Sequence, residues 1–116
     1  MKFARLYVRE RDIGVDVSIT ETARERMRGL LGRDALASGE ALLLKRCGSV
    51  HTFGMRFAID VLFLDRHQRV VAIRHDVPSR RMSFSLRAVH TLEMAAGAAR
   101  LHELAVGDSL VFKACL

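Results

Sequence analysis

The first third of the chain alternates between apolar and polar positions and then changes period. Residues 3–9 place apolar side chains among polar ones, which indicates an imperfect strand. Residues 15–19 read VDVSI, a strict period of two with one polar face, and predict a second strand. The turn between the two strands is predicted at residues 12–14, where Asp and Gly occur.

The following segment has the period of a helix. Thr22, with Glu25 three residues later, is a capping-box signature. One apolar stripe then follows at helical spacing: Ala23, Met27, Leu30 and Leu31. Gly29 lies inside this stripe, where glycine costs about 1 kcal/mol relative to alanine, so a close backbone contact is expected there. Gly32 is the expected end of an amphipathic helix.

The rest of the chain contains further strand patterns. Residues 57–65 (FAIDVLFLD) and 69–75 (RVVAIRH) predict a hairpin, and residues 76–86 predict a loop. Shorter strands are predicted in EALLLKR, SVHTF, RAVHTLEMA and VGDSLVFKA, with a helical turn or loop in GAARLHEL. Roughly seven or eight strands and one good helix predict a mainly β domain, a small sandwich or barrel with the helix packed on it.

Composition predicts one soluble domain over residues 1–116. Half of the residues are hydrophobic, which is enough for a core in a chain of 116 residues. Charged residues interrupt the N-terminus and no apolar run approaches the ~20 residues of a membrane helix. A cytoplasmic protein is therefore expected, with Cys47 and Cys115 as free thiols.

The net charge bears on the chemical class of partner that the protein could bind. Lys and Arg number 19 against 13 Asp and Glu, giving +6, which favours acidic or phosphate-bearing partners. The basic residues are scattered, however, which fits an ordinary solvated surface equally well. Arg80 and Arg81 follow Pro78 in a basic loop that could bind anions. No RNA-binding motif is present, so a nucleic-acid partner is an alternative only.

Asp60 interrupts the most apolar strand pattern of the chain. Both faces of that strand are apolar, so the carboxylate is expected to be half-buried and must be paired or hydrogen-bonded. Arg26, Arg33 or Arg56 is the expected partner, in an ion pair that joins helix and sheet. The alternative is a carboxylate for ligand binding or acid–base chemistry, in which case Asp60→Ala would abolish binding.

Glu93 is a second carboxylate among apolar residues, within the sequence LEMA. Two carboxylates held close together have pKa values that move apart, the arrangement used in general acid–base catalysis. The sequence leaves open whether Asp60 and Glu93 meet.

Two further motifs carry little weight. Cys47 and His51 are four residues apart, a spacing that suits a metal site on a helix but not on the strand or loop predicted there. A nucleophilic dyad of Cys47 with a histidine has no support beyond composition. GDSL at 107–110 spells the nucleophile block of a lipase class, but a turn before the last strand explains it better. No metal site, cofactor or catalytic residue is predicted.

Several motifs together resemble one family. They are ERMRGLLGR (25–33), HTFGMRFAIDVLFLD (51–65), RVVAI (69–73), LEMAAG (92–97) and GDSL (107–110). In order and spacing they resemble the DUF192 (UPF0127) family of small bacterial and archaeal proteins of uncharacterised function, over roughly residues 15 to 112. The resemblance implies a compact, mainly β fold and brings no established reaction, cofactor or catalytic residue. Ser79 stands where many relatives have tryptophan, which implies a different or weaker ligand if that tryptophan lines a binding surface.

The leading hypothesis is a non-catalytic module that binds a small polar or anionic ligand or a peptide of a partner protein. The candidate pocket lies near the start of the helix with an arginine rim: His51, Phe53, Met55, Asp60, Glu93, Arg26 and Arg33. The alternatives are a basic protein that associates with nucleic acid, and an enzyme that uses an Asp60/Glu93 carboxylate pair.

Overall fold

The structure, a computed structural model, describes residues 1–115. These residues form nine strands and two short helices. In chain order they are β1 (Lys2–Val8), β2 (Arg11–Ile19), α1 (Ala23–Arg28), β3 (Glu40–Leu44), β4 (Ser49–His51), β5 (Ile59–Leu64), β6 (Val70–Val77), β7 (Met82–Phe84), β8 (His90–Ala95), α2 (Ala98–Leu101) and β9 (Leu110–Ala114). The predicted mainly β fold is confirmed.

Seven strands form one sheet that closes on itself. Their order is β6-β5-β8-β3-β2-β1-β9, with β2 and β3 parallel and the other neighbours antiparallel. At its two ends Arg69 bridges Ser109, and the N–H of Val70 donates to the carbonyl of Asp108 at 2.9 Å. The sheet is therefore a small barrel rather than an open surface.

Alternation along the strands builds two apolar layers. One set of side chains fills the barrel interior, where α2 adds Ala98 and Ala99 at the end of β8. The opposite faces of β3 and β5 are also apolar and form an outer layer with Leu30 and Met55. Burying one such Leu or Phe stabilises the fold by roughly 1.5–3 kcal/mol. Both faces of β5 are therefore core, and all its residues are buried.

The N-terminal hairpin turns earlier than predicted. Its turn is Arg9–Glu10, both with positive φ (52° and 63°), and β2 already begins at Arg11. The Asp and Gly of residues 12–14 lie instead in an irregular stretch of β2, where the register with β1 shifts. Gly14 (φ 77°) belongs to that irregularity of the strand and not to the turn.

The capping box of α1 is confirmed. The N–H of Glu25 donates to Thr22 Oγ1 at 3.1 Å, and the N–H of Thr22 donates to Glu25 Oε1 at 3.1 Å. The helix ends before Gly29 (φ 50°, ψ −126°), so the predicted end at Gly32 is wrong. Gly29 is required by this backbone conformation, because nothing approaches its would-be Cβ closer than 3.8 Å.

The predicted apolar stripe of α1 does not form. No residue of α1 is buried, and Met27 is 78% exposed. Leu30, which follows the helix, is the residue that enters the outer layer. A helix of six residues is too short to bury a stripe, so the segment is held by its cap and by Leu30.

The hairpin predicted for residues 57–75 is confirmed as β5 and β6, but the loop predicted for 76–86 contains β7. β7 pairs with β4 to form a separate two-stranded ribbon. Thr52 links the end of β4 to the segment before β7, because its Oγ1 donates to the carbonyl of Pro78 at 2.6 Å and accepts from the N–H of Arg81 at 2.9 Å.

Neither helix within residues 1–115 has the length and hydropathy of a membrane span.

Candidate functional site

Asp60 is fully buried, and its carboxylate is held by backbone groups. The N–H of Asp76 donates to Oδ1 at 2.9 Å, and the N–H of Ala99 donates to Oδ2 at 3.0 Å. Asp60 therefore joins β5 to the end of β6 and to the start of α2. This structural role satisfies both oxygens inside the barrel.

The predicted ion pair between Asp60 and an arginine is wrong. Arg56 pairs with Asp34, and Arg33 pairs with Glu40 at 3.1 Å. The physical reason is a β-bulge in β6, where two residues oppose Asp60 on β5. Asp76 has φ 51° there, which directs its N–H to the carboxylate.

The bulge also brings His75 near Asp60. The distance from His75 Nδ1 to Asp60 Oδ2 is 4.0 Å, too long for a hydrogen bond. His75 Nδ1 is buried without a hydrogen-bond partner within residues 1–115.

Glu93 lies on the opposite face of the sheet from Asp60. In the β5–β8 register, Asp60 is opposite Met94 and Glu93 is opposite Val61. Neighbours across an antiparallel pair share a face, and successive residues of a strand do not. The two carboxylates therefore do not converge, and the carboxylate pair that the sequence left open as an alternative does not form.

The surroundings of Glu93 are apolar. Leu42 on β3 and Val61 on β5 flank it in register, and the residue is only 4% exposed. No hydrogen bond from residues 1–115 reaches its carboxyl group, which is not sealed from solvent. Desolvation by burial raises the pKa of Glu93 to about 7. At neutral pH the site holds a carboxyl group poised between its two protonation states.

A cavity of about 290 Å³ gives access to Glu93. α1 and the residues after it form one side, and β4 forms the other. Its lining is mainly apolar: Ala23, Arg26, Met27, Arg28, Gly29, Leu30, Leu31, Leu44, Cys47, Ser49, Val50, His51, Met55 and Glu93. We call this cavity the Glu93 pocket. Its charged lining groups are Glu93 and the two arginines.

Four predicted site residues line the Glu93 pocket and three do not. Those that line it are Arg26, His51, Met55 and Glu93. Phe53 lies beside it, with its ring 6.1 Å from the His51 ring. Asp60 is inside the barrel, and Arg33 lines a different cavity.

Sequence reasoning missed the contributions of Cys47 and Gly29. Cys47 is half-buried, and its thiol donates to the carbonyl of Ser49 at 3.0 Å. A Cβ on Gly29 would lie 3.8 Å from Glu93 Oε1, so this glycine borders the carboxyl group. The sequence signal for the role of Gly29 was its position inside a helical pattern. Within residues 1–115, no group of three or more His, Cys, Asp or Glu side chains is arranged to hold a metal.

A second cavity, of about 680 Å³, lies between α1 and the strands β1–β3. Its carboxylates already have partners: Asp16 with Arg5, Glu25 with the cap of α1, and Glu40 with Arg33. A broad groove whose carboxylates are all paired offers a cationic or donor group less than the smaller Glu93 pocket, in which a buried carboxyl group has no partner from the described chain.

Two solved structures share this fold. A protein of unknown function from Novosphingobium aromaticivorans DSM 12444 is 18% identical, with a TM-score of 0.80 over 94% of this chain and 84% of that chain. A protein from Sinorhizobium meliloti 1021, which carries the provisional name of transcription regulator, is 19% identical, with a TM-score of 0.81 over 96% and 92%. At these identities the likeness shows the fold alone.

Sequence comparison assigns the family. Among curated proteins, none matches the chain. The model of the DUF192 family, described as Uncharacterized ACR, matches residues 6–112, nearly the whole chain. The resemblance noted from the motifs is thereby confirmed, and the chain belongs to the DUF192 family.

Proposed function

We propose that this protein is a non-catalytic binding module whose ligand enters the Glu93 pocket. The ligand has an apolar body that ends in a hydrogen-bond donor, and this donor reaches the carboxyl group of Glu93. The observation that supports the proposal is the carboxyl group itself, which is buried among apolar side chains with no hydrogen bond from residues 1–115.

The energetics of Glu93 favour an occupant. Burial makes the charged form of Glu93 costly, and a donor supplied by a ligand would offset part of that cost. The volume of about 290 Å³ is at the lower end for small-molecule sites and suits a group the size of one large side chain. The mainly apolar lining would bind the rest of that group.

The arginines of the pocket refine the expected charge of the ligand. Arg26 and Arg28 line the pocket, and neither is within 4 Å of a carboxylate of residues 1–115. An anionic part of the ligand therefore belongs at these arginines, while the end that meets Glu93 is a donor and not an anion.

The proposal is tested with two small probes of equal length. In ¹H–¹⁵N NMR titrations we expect n-butylammonium to shift the amides of Gly29, Leu30 and Ser49 in a saturable way, and butyrate to bind at least about tenfold more weakly. Glu93→Gln should remove this preference, whereas Glu10→Gln, at an exposed glutamate, should keep it. Equal binding of both probes, or no shifts around the pocket, would contradict the proposal.

The pH dependence of binding tests the same proposal independently, through the protonation of Glu93. Because burial places the pKa of Glu93 at about 7, the carboxylate forms as the pH rises from 6 to 8. The affinity for n-butylammonium should rise over this range in the wild type and stay constant in Glu93→Gln. An affinity that is independent of pH in both proteins would show that the probe binds elsewhere.

Nucleic-acid association is the second candidate. Two observations favour it: the net charge of +6, and the provisional name of the Sinorhizobium meliloti protein. A fluorescein-labelled 20-nucleotide duplex is the probe. Binding whose affinity falls steeply with salt, and which Glu93→Gln leaves unchanged, would favour this candidate over the pocket.

A further inference from the structure

We propose that β4 accepts an extended, acidic peptide segment of a partner protein as an added strand. One apolar side chain of that peptide, ending in a donor, enters the Glu93 pocket. This inference rests on the proposed function and names the class of ligand. It is carried by the free edge of β4, the position of the pocket beside it, the exposed apolar side chains around it and the unpaired arginines.

The first observation is the edge of β4. The N–H of Thr52 donates to the carbonyl of Arg81 at 2.8 Å, and the N–H of Ser85 donates to the carbonyl of Gly48 at 3.2 Å. Even-numbered residues of this segment therefore bond towards β7. Because backbone groups alternate along a strand, the N–H groups of Ser49 and His51 face away from β7.

No other strand occupies that side of β4. Within residues 1–115, β4 pairs with β7 alone, and no hydrogen bond reaches the N–H of Ser49 or His51. An unpaired strand edge is a template for an added strand, and peptide recognition commonly uses it. On this edge the carbonyl of Ser49 accepts one hydrogen bond, from the Cys47 thiol at 3.0 Å, and retains a second lone pair for a peptide N–H. The ribbon of β4 and β7 is thus open to a third strand.

The second observation is the position of the pocket. Ser49 and His51 both line the Glu93 pocket. A strand added along β4 would run beside the pocket, and one of its alternate side chains could enter. Main-chain bonds would then supply affinity, and the pocket would select the side chain, as in strand-addition complexes.

The third observation is exposed apolar surface next to the pocket. On the ribbon, Met82 is opposite His51 and Phe84 is opposite Ser49. Met82 is 77% exposed and Phe84 is 63% exposed, and Met27 is similarly exposed on the α1 side of the pocket. Large apolar side chains gathered around a pocket indicate a surface that a partner covers.

The fourth observation selects the charge of the peptide. Arg26 and Arg28 line the pocket without a carboxylate partner in residues 1–115, so Asp or Glu residues beside the anchor would find charge-assisted hydrogen bonds there. A nucleic acid fits this site less well, because its phosphates would meet the Glu93 carboxylate and an apolar lining instead of a basic groove.

Selection of peptides on the full-length protein tests the inference. The probe is a display library of random dodecapeptides. We expect the enriched sequences to combine one anchor such as Lys, Tyr or Trp with at least two acidic residues. N-methylation of alternate backbone nitrogens in the best peptide should weaken binding at least about tenfold in one register and little in the other.

Matched variants test the same point from the side of the protein. His51→Pro removes the outward N–H, whereas His51→Ala removes the side chain and keeps the N–H. We expect His51→Pro to bind the peptide at least about tenfold more weakly than His51→Ala. Ser49→Pro and Ser49→Ala form a second pair in case one proline variant fails to fold.

The charge is tested with a matched arginine outside the site. Arg26→Gln with Arg28→Gln should weaken peptide binding and reduce its salt dependence. Arg11→Gln removes an exposed arginine at the start of β2 and should leave binding unchanged.

Four outcomes would overturn the inference. They are a selection without acidic sequences, equal effects of N-methylation in both registers, equal binding by the proline and alanine variants, and a homodimer in native mass spectrometry that His51→Pro disrupts and His51→Ala keeps. If n-butylammonium still occupies the Glu93 pocket in these cases, the proposed function stands and the strand addition alone fails. If neither probe binds, both fail.

Discussion

At the scale of single residues, the two buried carboxyl groups have opposite environments. Asp60 accepts two backbone N–H groups inside the barrel, at 2.9 and 3.0 Å. Glu93 faces the outer layer, where desolvation raises its pKa to about 7. A satisfied carboxylate stabilises a fold, whereas a desolvated one without protein donors costs stability.

Glu93→Gln should therefore stabilise the protein at high pH. Ionisation of Glu93 occurs near pH 4.5 in the unfolded chain and near pH 7 in the fold, so the wild type loses stability as the pH rises between these values. The loss amounts to about 3 kcal/mol and is complete by about pH 8. Urea unfolding should show similar stabilities at pH 4 and a more stable Glu93→Gln at pH 8.

The control for this experiment is Glu10→Gln, which should follow the wild type at every pH because Glu10 is exposed. A wild type whose stability does not fall relative to Glu93→Gln between pH 4 and pH 8 would show that Glu93 is not desolvated.

Asp60→Asn should lower stability and leave the pocket intact. An amide can accept one of the two N–H groups and points its own NH₂ at the other, which costs about 2–3 kcal/mol in urea unfolding. Binding of n-butylammonium should be unchanged, because Asp60 lies on the other face of the sheet. Asp34→Asn, at an exposed ion pair, should cost less than about 1 kcal/mol. Loss of probe binding in folded Asp60→Asn would restore the role in binding predicted from the sequence.

At the scale of elements, the hairpin of β1 and β2 contains a turn that its residues do not favour. Arg9 and Glu10 both have positive φ, the backbone of a two-residue turn in which glycine is preferred at the second position. Arg9 forms an ion pair with Asp108 at 2.9 Å, which compensates for part of the strain. Glu10 forms no side-chain bond within residues 1–115.

Glu10→Gly should consequently stabilise the hairpin. Relief of the left-handed conformation exceeds the entropy lost by the added glycine, so the free energy of unfolding should rise by about 0.5–1 kcal/mol. Glu10→Ala keeps a Cβ and should bring no gain. A destabilised Glu10→Gly in chemical denaturation would show that the turn is not strained at this residue.

At the scale of the whole molecule, closure of the barrel separates a stable body from a weakly held segment. The edge strands β6 and β9 are bridged, so every strand of the large sheet has a neighbour on both sides at that end. α1 buries none of its residues. Local stability follows buried contacts, and the wall of the Glu93 pocket formed by α1 is therefore the easier part to displace.

Hydrogen exchange should resolve these two parts. The N–H of Gly29, which donates to the carbonyl of Glu25 at 2.9 Å, should exchange at least about 100-fold faster than the amides of β5 and β8. Addition of a peptide that fills the pocket should slow the exchange at Gly29. Equal protection of α1 and β5 in the free protein would contradict a weakly held α1.

Prediction from the sequence succeeded where the cause is local. The capping box of Thr22 and Glu25, the hairpin of β5 and β6 and the mainly β fold all follow from residues near one another in the chain. It failed where distant segments meet. A strand was predicted at β4, but β7 and its pairing with β4 were missed, because β7 has three residues, too few for a pattern.

The candidate site, like the fold, was predicted only in part. From the sequence, His51, Met55 and Glu93 were placed in a pocket near the start of the helix, and in the structure all three line the Glu93 pocket. Asp60 was added because its strand looked alike on both faces. The sequence could not show that a bulge in β6 would offer Asp60 a backbone N–H.

The sequence by itself determined the mainly β class and the family, and it placed Asp60 and Glu93 among apolar neighbours, because period and apolar content act along the strand. Tertiary structure alone decided which face each carboxyl group occupies relative to its neighbours. Register sets Asp60 opposite Met94 and Glu93 opposite Val61, and a shift by one residue would exchange the two faces. That register satisfies Asp60 inside the barrel and leaves Glu93 facing a pocket.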